Sequence, residues 1–297
     1  MVKIFITILI SFCFCQFSPH FDGKLAYDYL LKQCDFGPRY PGSKEHIEFK
    51  DYLVKFLSDK GDSLIIDSHE IKHPYESKQI GLYNMLLQFN IDSDDRIMLM
   101  AHWDTREIAD KDPNPENFDT PIIGANDGAS GIAILMVLSE MLESYPLQKI
   151  GVDLLFVDGE DIGRSGELEN FSLGTKAFSK SIKNRPKLAI CLDMVADIDA
   201  EFKVEYFSYL QAPEAVEEIW SLANSLGYKE FTGAFQKPIY DDHRALFVET
   251  GIPSIDIIDF DYPYWHTLED TPDKCSANTL KIVGHVVSEY LYRKDGM

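Results

Sequence analysis

At 297 residues with 45% hydrophobic content, the chain is long enough to bury a full core. Its net charge of −21 argues against nucleic acid or an anionic membrane as partner and is compatible with a cationic ligand such as a free amino terminus. No internal repeat, low-complexity tract or Pro/Ser-rich linker divides it.

Residues 1–15 read as a signal segment: Lys3 supplies a minimal positive start, and 4–14 is an apolar run too short to span a bilayer. Cys13 and Cys15 fit the small positions before a cleavage site, so the remainder is expected to be secreted or periplasmic. A lipid anchor on one of these cysteines is the alternative, and no membrane span is expected. The rest, 21–297, is expected to form a single catalytic α/β domain. Cys34, Cys191 and Cys275 have no motif spacing and do not make a disulfide framework.

A helix is expected over 21–34, with Tyr27, Leu30, Leu31 and Cys34 on one face. After the turn-rich 36–42, Ser43 caps a second helix that runs to about 60, with Glu45 suiting its positive end. Strands are expected over 63–71 and 81–90, the second feeding a third, 96–102, across an Asp-rich hairpin at 91–95. That third strand is an apolar run ending in His102-x-Asp104. Such a run is buried on both faces only in a sheet covered by helices, and its carboxyl end is where open α/β sheets place their sites.

A polar loop, 107–119, follows without periodicity; loops of this length in compact domains are usually functional or disordered. Gly124-Ala-Asn-Asp127-Gly-Ala-Ser-Gly131 opens a helix to about 144, its small residues permitting close backbone approach around Asp127. Buried strands at 152–157 and 188–192 flank the loop 163–172 and a helix from 174. Helices at 213–226 and 241–251, a strand at 252–258 and a closing helix at 276–292 complete the pattern. The alternation predicts a three-layer α/β fold: a mixed, mostly parallel central sheet with helices on both faces.

Four apolar runs therefore end in acids or histidine, and they converge on one expected metal site. Candidate ligands are His102, Asp127, Asp161, Asp193 and His266, since zinc takes nitrogen and oxygen ligands and catalytic sites keep one position open. Each alone could be a cap or a surface carboxylate. Glu160 and Asp161 are adjacent acids pointing different ways, so that one can bind metal while the other faces substrate as a proton shuttle. Asp241 reads as the cap of its helix, and Trp265 as an aromatic wall beside His266.

His102-x-Asp104, the Asp127 motif, Asp158-Gly-Glu-Asp161, Asp193-Met-Val and Trp265-His-Thr resemble the zinc-dependent glutaminyl cyclases of animal and bacterial type, relatives of the di-zinc aminopeptidases. The resemblance runs from about residue 26 to the C-terminus with motif order kept. It implies conversion of N-terminal glutamine on peptides or proteins to pyroglutamate, with ammonia released. One zinc per chain would be held by Asp127, Asp161 and His266, with Glu160 as general acid/base and Asp193 and Asp241 as its hydrogen-bonded partners. Trp265, Ile239 and Tyr262 would wall the pocket. Asp161 departs from the Glu of vertebrate members, and 163–172 lacks their Trp, with Phe171 the aromatic available in its stead. His102 and Asp104 are expected to pair beside the zinc without binding it; the alternative is a secreted di-zinc aminopeptidase in which His102 and Asp193 hold a second ion.

Overall fold

The computed structural model describes residues 18–296; the expected signal segment, with Cys13 and Cys15, lies outside them. The helices are α1 (Gly23–Cys34), α2 (Lys44–Leu57), α3 (Ala129–Ser144), α4 (Leu173–Phe178), α5 (Tyr206–Gln211), α6 (Pro213–Ser225), α7 (Asp242–Thr250) and α8 (Ala277–Gly296). The strands are β1 (Ser63–Lys72), β2 (Gln79–Phe89), β3 (Arg96–His102), β4 (Gly151–Val157), β5 (Leu188–Asp193), β6 (Phe202–Val204), β7 (Phe231–Phe235) and β8 (Ser254–Ile258). Local chemistry sets several boundaries: Asp22 accepts from Lys24 N and Leu25 N, Ser43 accepts from His46 N, and Gly251 ends α7 in the left-handed conformation.

Six strands form the main sheet in the order β1-β2-β4-β3-β5-β8. Strands β4, β3, β5 and β8 are parallel, and β2 and β1 add antiparallel pairs at one edge. The hairpin expected at 91–95 is not formed. β4 lies between β2 and β3, and β3, apolar from Ile97 to Ala101, is buried along its whole length as a central parallel strand. Every residue of β3 is buried: Ile97, Leu99 and Ala101 pack towards α1, α3 and α8, whereas Met98 and Met100 pack towards α4 and α7. The sheet is thus covered on both faces, as expected. Two short parallel strands, β6 and β7, form a second sheet, and these and α5 were not foreseen. Cys34, Cys191 and Cys275 are free.

This topology brings the carboxyl ends of β3, β4, β5 and β8 to one edge. The amino end of α3 is pulled hard against it. A Cβ on Gly131 would stand 2.2 Å from Leu192 O, and one on Gly128, whose φ is +98°, would stand 2.6 Å from Asp104 O. Only glycine lets the chain bearing Asp127 come so close to the strand ends.

Candidate metal centre and its pocket

Asp127, Asp161 and His266 converge as three buried groups whose ligand atoms lie within 4.8 Å of one another. His266 Nε2 stands 3.3 Å from Asp161 Oδ1 and 3.5 Å from Asp127 Oδ2. A second group shares Asp127: His102 Nε2 is 3.2 Å from Asp127 Oδ1 and 3.3 Å from Asp193 Oδ1. All five candidate ligands read from the strand ends are therefore assembled at one place.

The fit to a cation can be judged from unsatisfied atoms. Asp127 Oδ2 and Asp161 Oδ2 are buried and have no hydrogen-bond partner. Burying unpaired carboxylate oxygens is costly unless a positive charge meets them. Two carboxylates and one imidazole nitrogen are also a donor set typical of zinc with an open position.

Groups around the ligands fix their orientation. Arg106, buried, donates to Asp161 Oδ1 at 2.6 Å and to Asp110 at 2.8 and 3.0 Å, and Asp110 Oδ1 faces His266 Nδ1 at 3.4 Å. Burial pushes the Asp161 carboxyl up, but His266 and Arg106 outweigh it and hold it below its usual range. Asp270 receives Asn126 N and Asp127 N, as well as the hydroxyl of Tyr262 at 2.8 Å. Burial and the nearby Asp127 raise its carboxyl to about 7. His266 itself is left-handed at φ +57°, as is Met194 at φ +46° just after Asp193. Two non-glycine residues in that region beside ligands store strain of the kind found at functional sites.

Asp104 lies beside His102 as expected, Oδ1 standing 3.6 Å from His102 Nδ1, and does further work. Its backbone carbonyl faces His102 Nδ1 at 3.1 Å, while its carboxylate receives Glu160 N and Asp161 N at 3.1 and 3.2 Å. It holds the turn that presents both acids. Arg106, Asp110 and Asp270 were not singled out from the sequence; the four-residue spacing of Arg106 and Asp110 in a polar loop was the one available signal for that pair.

Glu160 is buried, and its carboxyl is raised well above its ordinary value by burial first and by Asp241 second. Among the described residues its carboxyl forms no side-chain hydrogen bond, with Asp193 and Asp241 engaged elsewhere. Asp193 meets His102, and burial lifts its carboxyl to about 7. Asp241 caps α7 and accepts from the Cys191 thiol at 3.7 Å, with Asp256 alongside. Around the metal group, the Trp265 ring stacks on His266 at a centroid distance of 3.8 Å. Ile239, Tyr262, Met194 and Ile258 form a buried apolar cluster against which Trp265, Phe260 and Tyr264 pack. Tyr262 is almost fully buried and turns its hydroxyl to Asp270, so it supports the loop of Asp127 as well as the cluster.

Peptidase family M28 matches residues 84–291. A glutaminyl cyclase structure from Bacteroides thetaiotaomicron, bound to N-acetylhistamine, is 34% identical with a TM-score of 0.88, covering 93% of this chain and 99% of that one. A Zn-dependent exopeptidase from Parabacteroides distasonis is 33% identical with a TM-score of 0.88, covering 92% and 99%. Among curated proteins, the glutaminyl-peptide cyclotransferase of Drosophila melanogaster is 24% identical over 285 residues, 86% of this chain and 77% of that protein.

Proposed function

The chain belongs to peptidase family M28, and from that premise we propose that it is a zinc-dependent glutaminyl-peptide cyclotransferase. Its substrates would be peptides or proteins with N-terminal glutamine, and its products pyroglutamate and ammonia. The likeness to glutaminyl cyclases over nearly the whole length of both chains supports this. The observation that carries it within the site is the one-sided distribution of unpartnered oxygens. Among the five candidate ligands they are Asp127 Oδ2 and Asp161 Oδ2, on the carboxylates grouped with His266, whereas His102 Nε2 and Asp193 Oδ1 meet each other. That favours one zinc, held by Asp127, Asp161 and His266.

Zinc bound there would supply Lewis-acid polarisation of the substrate's γ-carboxamide. Glu160 takes a proton from the α-ammonium, which frees the amine to close the five-membered ring on the carbonyl carbon of the γ-carboxamide. That proton passes from Glu160 to the departing nitrogen, and the second proton lost by the ring nitrogen follows through Glu160. The ring C–N bond thus forms as the carboxamide C–N bond breaks, the substrate's charge leaves with the nitrogen as ammonium, and no water nucleophile is needed. Burial and the neighbouring Asp241 raise the affinity of Glu160 for that proton. Asp193 acts through His102. Trp265, Ile239 and Tyr262 would enclose the reacting side chain and exclude water.

Among the described residues no helix is long and apolar enough to cross a membrane. With 1–15 read as an export signal, the activity would lie outside the cytoplasm, free or lipid-anchored.

Parallel incubation with a Gln-peptide and with Leu-p-nitroanilide tests the function. Ammonia from the first and no amine from the second is the expected result; amine from the second alone overturns it. The His102–Asp127–Asp193 group is the one observation that favours the other reading, a di-zinc aminopeptidase.

A further inference from the structure

The segment 163–171 passes directly beside Glu160. Its ends are pinned by Ser172 N to Glu160 O and Leu173 N to Gly159 O, both 2.9 Å. Phe171 lies on Gly163, where any Cβ would stand 2.1 Å from its ring, and 5.7 Å from the guanidinium of Arg106, which holds Asp161. The outer side touches the β1–β2 connection: Asn170 donates to Tyr75 Oη at 3.1 Å, and Arg164 lies 4.1 Å over the Tyr75 ring. Yet 164–169 are exposed and carry no regular ladder beyond a single 3-10 turn. The segment's own backbone bonds close short turns: Glu167 N to Arg164 O at 2.9 Å, Asn170 N to Glu167 O at 3.1 Å and Phe171 N to Leu168 O at 3.3 Å.

One side chain ties these turns to the far wall. Lys176, on α4, is half-buried and donates to three successive parts of the segment: Leu168 O at 3.3 Å, Glu169 O at 2.9 Å and Phe171 O at 2.7 Å. Among the described residues it forms no ion pair, although the chain is rich in acids. The same ammonium lies 5.2 Å over the ring of Tyr240, the neighbour of Ile239. One cation therefore joins the two sides of the rim, the 168–171 segment and the Ile239–Tyr240 wall. An ammonium on neutral carbonyls makes charge-assisted bonds, roughly twice as strong as neutral ones.

We propose that Lys176 is the positioning residue of the pocket rim, fixing 168–171 over Glu160 and so setting the room available to the substrate residue that follows the N-terminal glutamine. This rests on the cyclotransferase reading. Lys176 does not touch the reacting atoms; it acts through the segment it holds, and the cost of ordering that segment falls on binding when the cation is removed. KM should respond to the substitution, and kcat should not.

The test is Lys176→Met in the full, zinc-loaded protein, read by amide hydrogen exchange at 168–172 and by kinetics on Gln-peptides differing at the second residue. Exchange at Phe171 and Ser172 should accelerate without change elsewhere. KM should rise roughly tenfold, about the loss of one charge-assisted hydrogen bond, with kcat within about twofold. The rise should be steepest for bulky second residues, and Lys176→Arg should restore both readouts. Unchanged exchange, or a fall in kcat at constant KM, overturns the proposal. If the methionine variant fails to fold, Lys176→Gln, which keeps a donor without the charge, is read in the same way. The exchange arm needs no turnover, so failure of the wild type to release ammonia would sink the cyclotransferase reading and leave the role of Lys176 decided separately.

Discussion

Asp127 turns one oxygen to His102 and the other to His266, and the two sides of this shared carboxylate differ in what surrounds them. On the His266 side, a buried arginine and two further carboxylates brace the donors, and two oxygens are left without a partner. On the His102 side the histidine bridges Asp127 and Asp193, and its other nitrogen is held by a backbone carbonyl. The donor types are nearly the same on both sides. What separates them is the bracing: His266 and Arg106 together hold the Asp161 carboxyl below its usual range, whereas burial raises that of Asp193, with His102 alone opposing it.

The sharpest way to break this comparison is to remove the proton carrier and the donors in turn. Glu160→Gln should lower kcat by about 10²–10⁴-fold with zinc retained, as expected of a general acid/base; ammonia release and metal content measured on the same sample decide it. Asp127→Ala and His266→Ala should lose zinc on dialysis, while His102→Ala should keep about one per chain. If His102→Ala also strips the metal, or the wild type holds two zincs tightly, the contrast collapses and the di-zinc reading leads.

Weakening the brace is a finer probe. Asp110→Asn should reduce zinc affinity roughly 10–100-fold through the orientation of His266, by chelator competition. An equivalent loss from a substitution on the His102 side would show that bracing is not what distinguishes the two.

The pocket wall offers a pH test that does not involve the metal. Glu205 receives Phe207 N, Ser208 N and Ile239 N, and meets His243 at 3.1 Å. Burial would raise its carboxyl, but His243 and these donors prevail and lower it to about 2. A depressed folded-state value contributes stability that is complete above the ordinary value near 4.5 and disappears as pH falls towards 2. Acid unfolding of Glu205→Gln should therefore be flatter than wild type over that window, and an unchanged slope would count against Glu205 as the tie for Ile239. The smallest effect is expected from Tyr262→Phe, about 1 kcal/mol of stability from one lost hydrogen bond to Asp270, measured by denaturant unfolding.

Much of this site was legible before any coordinates. The apolar runs ending at His102, Asp161 and Asp193 became parallel strands or the turns after them, because a run of that kind has no other way to be buried on both faces. Caps were legible for the same local reason: Ser43 and Asp241 bond amides within three residues of themselves. The insertion of β4 between β2 and β3 was not, since strand pairing joins residues some 60 positions apart and leaves no mark in a local pattern. Asp110, Asp270 and the hold of Asp104 on the turn of Glu160 were equally silent. An aspartate in a loop looks alike whether it faces water or braces a ligand, and its partners at Glu160, His266 and Asp127 arrive from other elements.

The strand ending in His102-x-Asp104 shows where the division lies. Sequence alone determined that donors would gather at strand ends, because residue chemistry and burial pattern are local properties. It also determined that glycines around Asp127 would admit a close approach. Tertiary structure alone decided that Asp127 is shared and that Asp104 serves the turn of Glu160 and Asp161. It also decided that the unpartnered oxygens lie on the His266 side. Whether a buried polar atom is satisfied depends on every group that packing brings within about 3 Å of it, and only the folded chain determines that.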